Sequence, residues 1–141
     1  MNINHLREVK IMNWTIDYLE KEEIVSAKIS GIMDWDQHKK FAQEMFSLAV
    51  KHNSHRILID FLDMKPNFTV LEIDDLPKQL KEIGIGPEYK IAAIHDPSSP
   101  KSDEFTFFTN VATLTSLQVQ QFSNKKEAIA WLKSKSHDKA D

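Results

Sequence analysis

Ile57, Leu58 and Ile59 form an uninterrupted apolar run within RILIDF, and Ile91, Ala92, Ala93 and Ile94 form a second one. A strand with one wet face alternates apolar and polar residues. A short continuous run that follows a helical pattern instead marks a strand covered on both faces. These two runs therefore occupy the centre of a sheet, and the remaining elements must be arranged around them.

The flanking patterns supply those elements. Trp14, Ile16 and Tyr18 alternate with Asn13, Thr15 and Asp17, and after the charged turn Glu20 to Glu23 a second alternation offers Val25, Ala27 and Ile29. This is an antiparallel hairpin, ended by Gly31. Asp34 and Gln37 have the spacing of a capping box, and the helix they open runs to about His52, with Trp35, Phe41, Ala42, Met45, Leu48 and Ala49 on its sheet-facing stripe. Val70 to Ile83 is helical but broken at Pro77, which opens a second helix in its first turn, and Gly84 and Gly86 stop it. The loop HDPSSPKS leads to a helix from about Asp103 bearing Phe105, Phe108 and Ala112. Leu117, Val119 and Phe122 make the last strand, and Asn124 with Glu127 starts a terminal helix carrying Ala128, Trp131 and Leu132. The order β-β-α-β-α-β-α-β-α predicts an α/β fold with one mixed five-stranded sheet and about four helices packed against it.

With 141 residues, 41% hydrophobic and 28% charged, the sequence predicts one domain with its core from about 12 to 132 and a charged, frayed tail from Lys133. No secretory signal pattern is found, and no apolar stretch reaches the roughly 18 residues of a membrane span, so a soluble, cytoplasmic protein is expected. The absence of cysteine excludes a disulfide framework, thiol catalysis and cysteine-ligated zinc. A net charge of −3 with scattered lysines speaks against a nucleic-acid partner.

The stretch RILIDFLDMKPNFT carries the candidate site. It reads as a buried strand delivering Asp60 and Asp63 into a turn closed by Pro66, at the carboxyl end of a strand where open α/β sheets bind ligands. A receiver-like phosphorylation site would add an acidic pair after the first strand and a hydroxyl and lysine after later ones, which this sequence lacks, so both aspartates are expected to be solvated. Thr69, immediately before the helical Val70, is expected to cap the helix. His95, Asp96, Ser98 and Ser99 invite a hydrolase reading, but adjacent His and Asp side chains diverge and no Gly-x-Ser-x-Gly elbow is present. Asp96 or Ser102 has the simpler role of ordering the loop. His52 and His55 straddle a helix end with no third metal ligand indicated, and His38 falls on the apolar stripe as a satisfied boundary residue. No catalytic residue, metal or cofactor is expected. Asn67-Phe68-Thr69 formally matches a glycosylation acceptor, without a secretory signal to give it weight. Met33, Met45, Met64, Phe68, Phe105, Phe107 and Phe108 exceed the needs of a small core, and three phenylalanines of one helix cannot all point inward. The expected binding surface is therefore Asp60, Asp63, Met64, Phe68 and Thr69 together with Phe105 and Phe108, with Met64 and Phe68 giving apolar contact and the aspartates a polar rim.

The hairpin ending at Gly31, the strands RILIDF and IAAI and the closing VQQFSNKKEAIAWL together resemble the SpoIIAA-like branch of the STAS superfamily, named after sulfate transporters and anti-sigma factor antagonists. The likeness spans about Met12 to Leu132. It implies a non-enzymatic regulatory or docking module that binds a protein partner. Because that superfamily is similar in fold to the lipid-exchanging SEC14 domains, it also implies an alternative, a small apolar-ligand or lipid-binding domain. A carboxylate-dependent hydrolase is the remote third reading. The resemblance also marks a departure. Anti-sigma factor antagonists carry Asp-Ser-Ser/Thr-Gly with a phosphorylated serine after the central strand, whereas this chain has Asp63-Met64-Lys65-Pro66, and Thr69 is the nearest hydroxyl.

Overall fold

A computed structural model describes residues 13–98, 110 and 117–134. Strands β1 (Asn13–Leu19) and β2 (Ile24–Met33) form the hairpin, and helix α1 (Trp35–His52) follows. Strand β3 (Arg56–Pro66) leads through a short loop to helices α2 (Val70–Asp74) and α3 (Leu76–Ile83), and strand β4 (Lys90–Ile94) comes next. Strand β5 (Gln118–Phe122) and helix α4 (Lys125–Lys133) close the described chain.

The five strands lie in the order β1-β2-β3-β4-β5, with β1 antiparallel to β2 and the other pairs parallel. This is the mixed five-stranded sheet expected from the sequence, with β3 at its centre and Pro77 near the start of α3 as read. The expected helix near Asp103, with Phe105, Phe107 and Phe108, lies outside the described residues. So do residues 135–141 of the expected tail, although Lys133 itself belongs to α4.

The continuous apolar runs split between two layers. Ile57 and Ile59 of β3 join Val25, Ala27, Ile29, Ile91 and Ala93 on one face, covered by Phe41, Ala42, Met45 and Ala49 of α1 and by Leu76 and Leu80 of α3. Leu58 points the other way, with Ile24, Ala92 and Ile94, onto Ala128 and Leu132 of α4. That alternation inside an all-apolar run is what coverage on both faces requires. Local signals fix the helix ends. Asp34 and Gln37 make the reciprocal capping box of α1, Asn53 closes that helix in a left-handed conformation, and Asn124 accepts from the Glu127 N–H at the start of α4. Gly84 ends α3 at φ +117°, and a Cβ there would lie 2.5 Å from Phe46 Cζ, so both backbone and packing demand glycine.

Two boundaries differ from the sequence reading. Gly31 does not end the hairpin, because β2 runs through it at φ +92° and pairs on to Met33. Nor does the chain turn after Ile59: β3 continues to Pro66, pairing Ser30 with Asp63, Gly31 with Met64, Ile32 with Lys65 and Met33 with Pro66. Since β4 pairs with β3 only as far as Asp60, β2 and β3 project together beyond β4.

Ile57 is fully buried, so Ile57→Ala should cost roughly 2–5 kcal/mol in urea denaturation, against about 0.5 kcal/mol or less for Asp17→Ala on the exposed side of β1. Equal midpoints at equal slopes for the two variants would contradict the central placement of β3.

Candidate functional site

Asp60 and Asp63 are three residues apart and would project from opposite faces of a regular strand. They do not, because the β2–β3 register pairs Lys28 with Asp60 and Ser30 with Asp63, leaving Ile29 opposite both Phe61 and Leu62. This is a β-bulge, a feature rare between parallel strands, and it resets the alternation. Asp60 holds the bulge itself, its Oδ1 accepting the Leu62 N–H at 2.9 Å. Both carboxylates then reach one cation, with Lys28 Nζ 3.3 Å from Asp63 Oδ2 and 3.7 Å from Asp60 Oδ2. The Asp60 charge first, then the hydrogen bond and charge of Asp63, raise the Lys28 pKa above the ordinary lysine value. Asp60 and Asp63 thus sit together, on a strand and not in a turn, in an ion-pair cluster that water screens.

The same reset sends Met64 inward, where it is only 4% exposed and packs with Ile59 and Phe61 in the main core. Met64 is therefore not a surface contact, which corrects the sequence expectation. Past Pro66, the Asn67 N–H donates to the Met33 carbonyl at 2.9 Å and ties the loop to the end of β2. Phe68 turns back onto α1, edge-on to Trp35 at 5.4 Å and to His38 at 5.7 Å. It is half-buried, with its ring engaged by the domain itself. Thr69 caps α2 as expected: its Oγ1 accepts from the Glu72 N–H at 3.1 Å while Glu72 Oε1 accepts from the Thr69 N–H at 2.9 Å. Phe105 and Phe108 lie outside the described residues.

The apolar surface at this end comes from residues that the sequence reading passed over. Ile32 on β2 is 53% exposed, Leu62 in the bulge 47%, and Val70 and Leu71 at the start of α2 64% and 79%. Ile32 and Leu62 lie on the stretch where β2 and β3 run beyond β4, and Val70 and Leu71 open the helix that follows it. The local pattern of α2 could have signalled Val70 and Leu71: Ile73 is its buried residue, and a five-residue helix has one inward face to give.

Beneath this end, on the α1 and α3 side of the sheet, lies an apolar cavity of about 50 Å³, lined among others by His38, Met45, Ile59, Phe61, Leu76 and Val119. His38 is buried there, and its Nδ1–H donates to Gln79 Oε1 at 2.7 Å, with the imidazole stacked on Trp35. Gln79, also buried, was not identified from sequence, because nothing local distinguishes it from its exposed neighbours on α3. Burial dominates the hydrogen bond and lowers the His38 pKa from 6.5 to about 4, so the ring is neutral at pH 7.

The other candidate clusters resolve into local structure. His95 is buried and its Nε2 pairs with Gln121 Oε1, while its backbone N–H donates to the Phe122 carbonyl. Asp96 orders the following turn, with Oδ1 accepting the Ser98 N–H at 2.9 Å and its hydroxyl at 2.8 Å. Those bonds lower the Asp96 pKa. Ser99 and Ser102 lie outside the described residues. His52 stacks on Tyr18 and His55 meets Tyr89 edge-on. Among the described residues no group of three or more His, Asp or Glu side chains is placed to hold a metal ion, and no helix is long and apolar enough to cross a membrane.

A depressed histidine pKa has a defined sign. The unfolded chain takes up a proton near pH 6.5 that the folded chain refuses until about pH 4, so the stabilisation held above pH 6.5 is lost as pH falls through that window. The loss should total roughly 3 kcal/mol between pH 7 and pH 4. Urea denaturation at successive pH values should show this slope in the parent chain and a markedly flatter one in His38→Gln. Parallel curves for the two would rule out His38 as the titrating group.

No protein-family model and no curated protein sequence matches the chain. Solved structures do. An anti-sigma factor antagonist from Mycobacterium paratuberculosis superposes with a TM-score of 0.59 over 89% of this chain and 97% of that one, at 10% identity. A protein of the DUF3478 family from Shewanella loihica, described as having a SpoIIAA-like fold, superposes with a TM-score of 0.56 over 86% of this chain and 93% of that one, at 22% identity. The sheet order, the parallel β2–β3–β4–β5 connections and these superpositions together establish that the chain has the SpoIIAA-like fold.

Proposed function

We propose that this chain is a non-enzymatic, SpoIIAA-like regulatory module that docks a protein partner at the carboxyl end of the β2–β3 projection. The exposed apolar group of Ile32, Leu62, Val70 and Leu71 carries this reading, since it stands on a rigid, hydrogen-bonded base rather than on a loose loop. Asp60 and Asp63 form its polar rim with Lys28, and Phe68 supports it from beneath by fixing the approach to α2. The fold shared with an anti-sigma factor antagonist supports a protein partner. The alternative, a lipid or other apolar ligand, is less well served, because the cavity near His38 is about 50 Å³ where ligand pockets run to roughly 300–1,000 Å³. A hydrolase has less support still: Asp60 and Asp63 are both engaged by Lys28, and Asp96 is committed to its turn.

Thr69 is not a phosphorylation switch on this reading. Its hydroxyl is engaged as the α2 cap, and the Asp-Ser-Ser/Thr-Gly sequence is missing at Asp63 to Pro66.

The test is a quantitative affinity capture from a lysate of the source cells, with reciprocal tagging of each captured protein. Leu71→Asp should lose the partner while changing stability by no more than about 0.5 kcal/mol, because the side chain is exposed. Thr69→Ala and Thr69→Glu should both retain it. Loss in Thr69→Glu with retention in Thr69→Ala, together with phosphate on Thr69 in the native protein, would restore a switch. Partner capture indifferent to Leu71→Asp, with an apolar molecule carried through purification and seen in native mass spectrometry, would transfer the function to the cavity.

A further inference from the structure

The opposite, amino end of the parallel strands holds a second, polar pocket of about 420 Å³, bounded by Tyr18, Glu23, His52, Asn53, His55 and Arg56. The chain builds it with care. Ser54 is buried and its Oγ is spent on structure, donating to the Glu23 carbonyl at 2.7 Å and accepting the Arg56 N–H at 3.2 Å. That clip fastens the hairpin turn to the start of β3. Glu23 at φ 59° and Asn53 at φ 52°, the described non-glycine residues with positive φ, are the two corners it joins. At the end of α1, the backbone N–H groups of Asn53 and Ser54 cap the carbonyls of Ala49 and Val50, and His52 of that last turn lines the pocket.

Within the pocket, Arg56 is only partly exposed, and among the described residues its guanidinium makes one hydrogen bond, Nη1 donating to the Glu22 carbonyl at 2.9 Å. No carboxylate lies within ion-pairing distance of it among the described residues, where the ion pairs are those of Lys28. A guanidinium carries five donors, so four stay available in a fixed planar fork, the geometry that grips a carboxylate or phosphate through two oxygens. A half-buried, always-charged group with no counter-charge is unfavourable unless something supplies one. His52, held flat on Tyr18 at 3.8 Å, and the exposed His55 also line the pocket, and the Asn53 side-chain amide adds a donor.

We infer that this pocket binds the oxyanion group, phosphate or carboxylate, of a small molecule, with Arg56 as its principal ligand and His52 and Asn53 as further donors. Glu23 also bounds the pocket and makes no ion pair with Arg56, so its carboxylate can accept from a hydroxyl or ammonium of the same molecule. The site lies at the far end of the sheet from the proposed docking surface and is independent of it.

Titration calorimetry of the whole chain with sodium phosphate, and separately with sodium succinate, each against sodium chloride at equal ionic strength, tests the inference. Saturable binding of either anion is expected, accompanied by shifts of the Arg56 and His52 side-chain NMR signals. Arg56→Gln should weaken that binding by about tenfold or more, as loss of a charge-assisted fork predicts, whereas Lys126→Gln on the exposed first turn of α4 should leave it unchanged. Should Arg56→Gln perturb folding through the lost bond to Glu22, Arg56→Lys keeps the charge, loses the fork and should still bind several-fold more weakly than the parent. Phosphate binding without succinate binding would assign the phosphate class, and the converse the carboxylate class. No saturable response to either anion, or a response equal in Arg56→Gln and parent, would overturn the assignment.

Discussion

Everything distinctive about this domain's carboxyl end depends on one extra residue in β3. Parallel strands alternate strictly, and a shift of one residue exchanges the faces. By setting Phe61 and Leu62 against Ile29, the chain makes that exchange once, in the middle of a strand. Upstream, Ile57 and Ile59 face α1. Downstream, Met64 continues the same core even though its distance from Ile59 is odd, and Asp60 and Asp63 share the other face with Lys28. Without the bulge either Met64 or Asp63 would be on the wrong side. A buried aspartate with no counter-charge would cost far more than the local disruption of the ladder, which Asp60 repairs by accepting the stranded Leu62 N–H.

This accounts for what the sequence disclosed and what it withheld. The central runs at Ile57 to Ile59 and Ile91 to Ile94 were legible because burial on both faces leaves no polar residue to interrupt them. The caps at Asp34, Thr69 and Asn124 were legible because a cap is a bond between near neighbours. The turn expected after Ile59 was not there. Aspartates three apart followed by Lys-Pro-Asn carry the composition of a turn, and only the partner strand decides that the backbone stays extended. Pro66 is tolerated because it comes last in β3, beyond the reach of β4. For the same reason Met64 and Phe68 were expected on the surface, and their inward packing could not be read from spacing alone.

The polar groups inside the core follow a second rule, that long-range partners leave no local trace. His38 and Gln79 are far apart in sequence and come together only when α3 settles against α1. Neither is exposed enough to be solvated, so each must satisfy the other, and the imidazole must remain neutral to stay where it is. Trp35 and Phe68 close the ring pair from two sides, which makes the approach to α2 part of the same packing unit as the histidine.

The two ends of the sheet consequently differ in kind. At the carboxyl end Lys28 offsets part of the charge of Asp60 and Asp63, and Ile32, Leu62, Val70 and Leu71 are exposed, side chains suited to losing water against another apolar surface. At the amino end a guanidinium has no carboxylate at ion-pairing distance among the described residues, beside backbone corners locked by a buried serine. A central strand as rigid as β3 separates these ends by its own length. Arg56 is its first residue and Pro66 its last, so whatever occupies one end meets the other through a strand whose side chains are close-packed on both faces from Ile57 to Ile59. Coupling between them would have to move β3 as a body, and the bulge that fixes its register is what resists that movement.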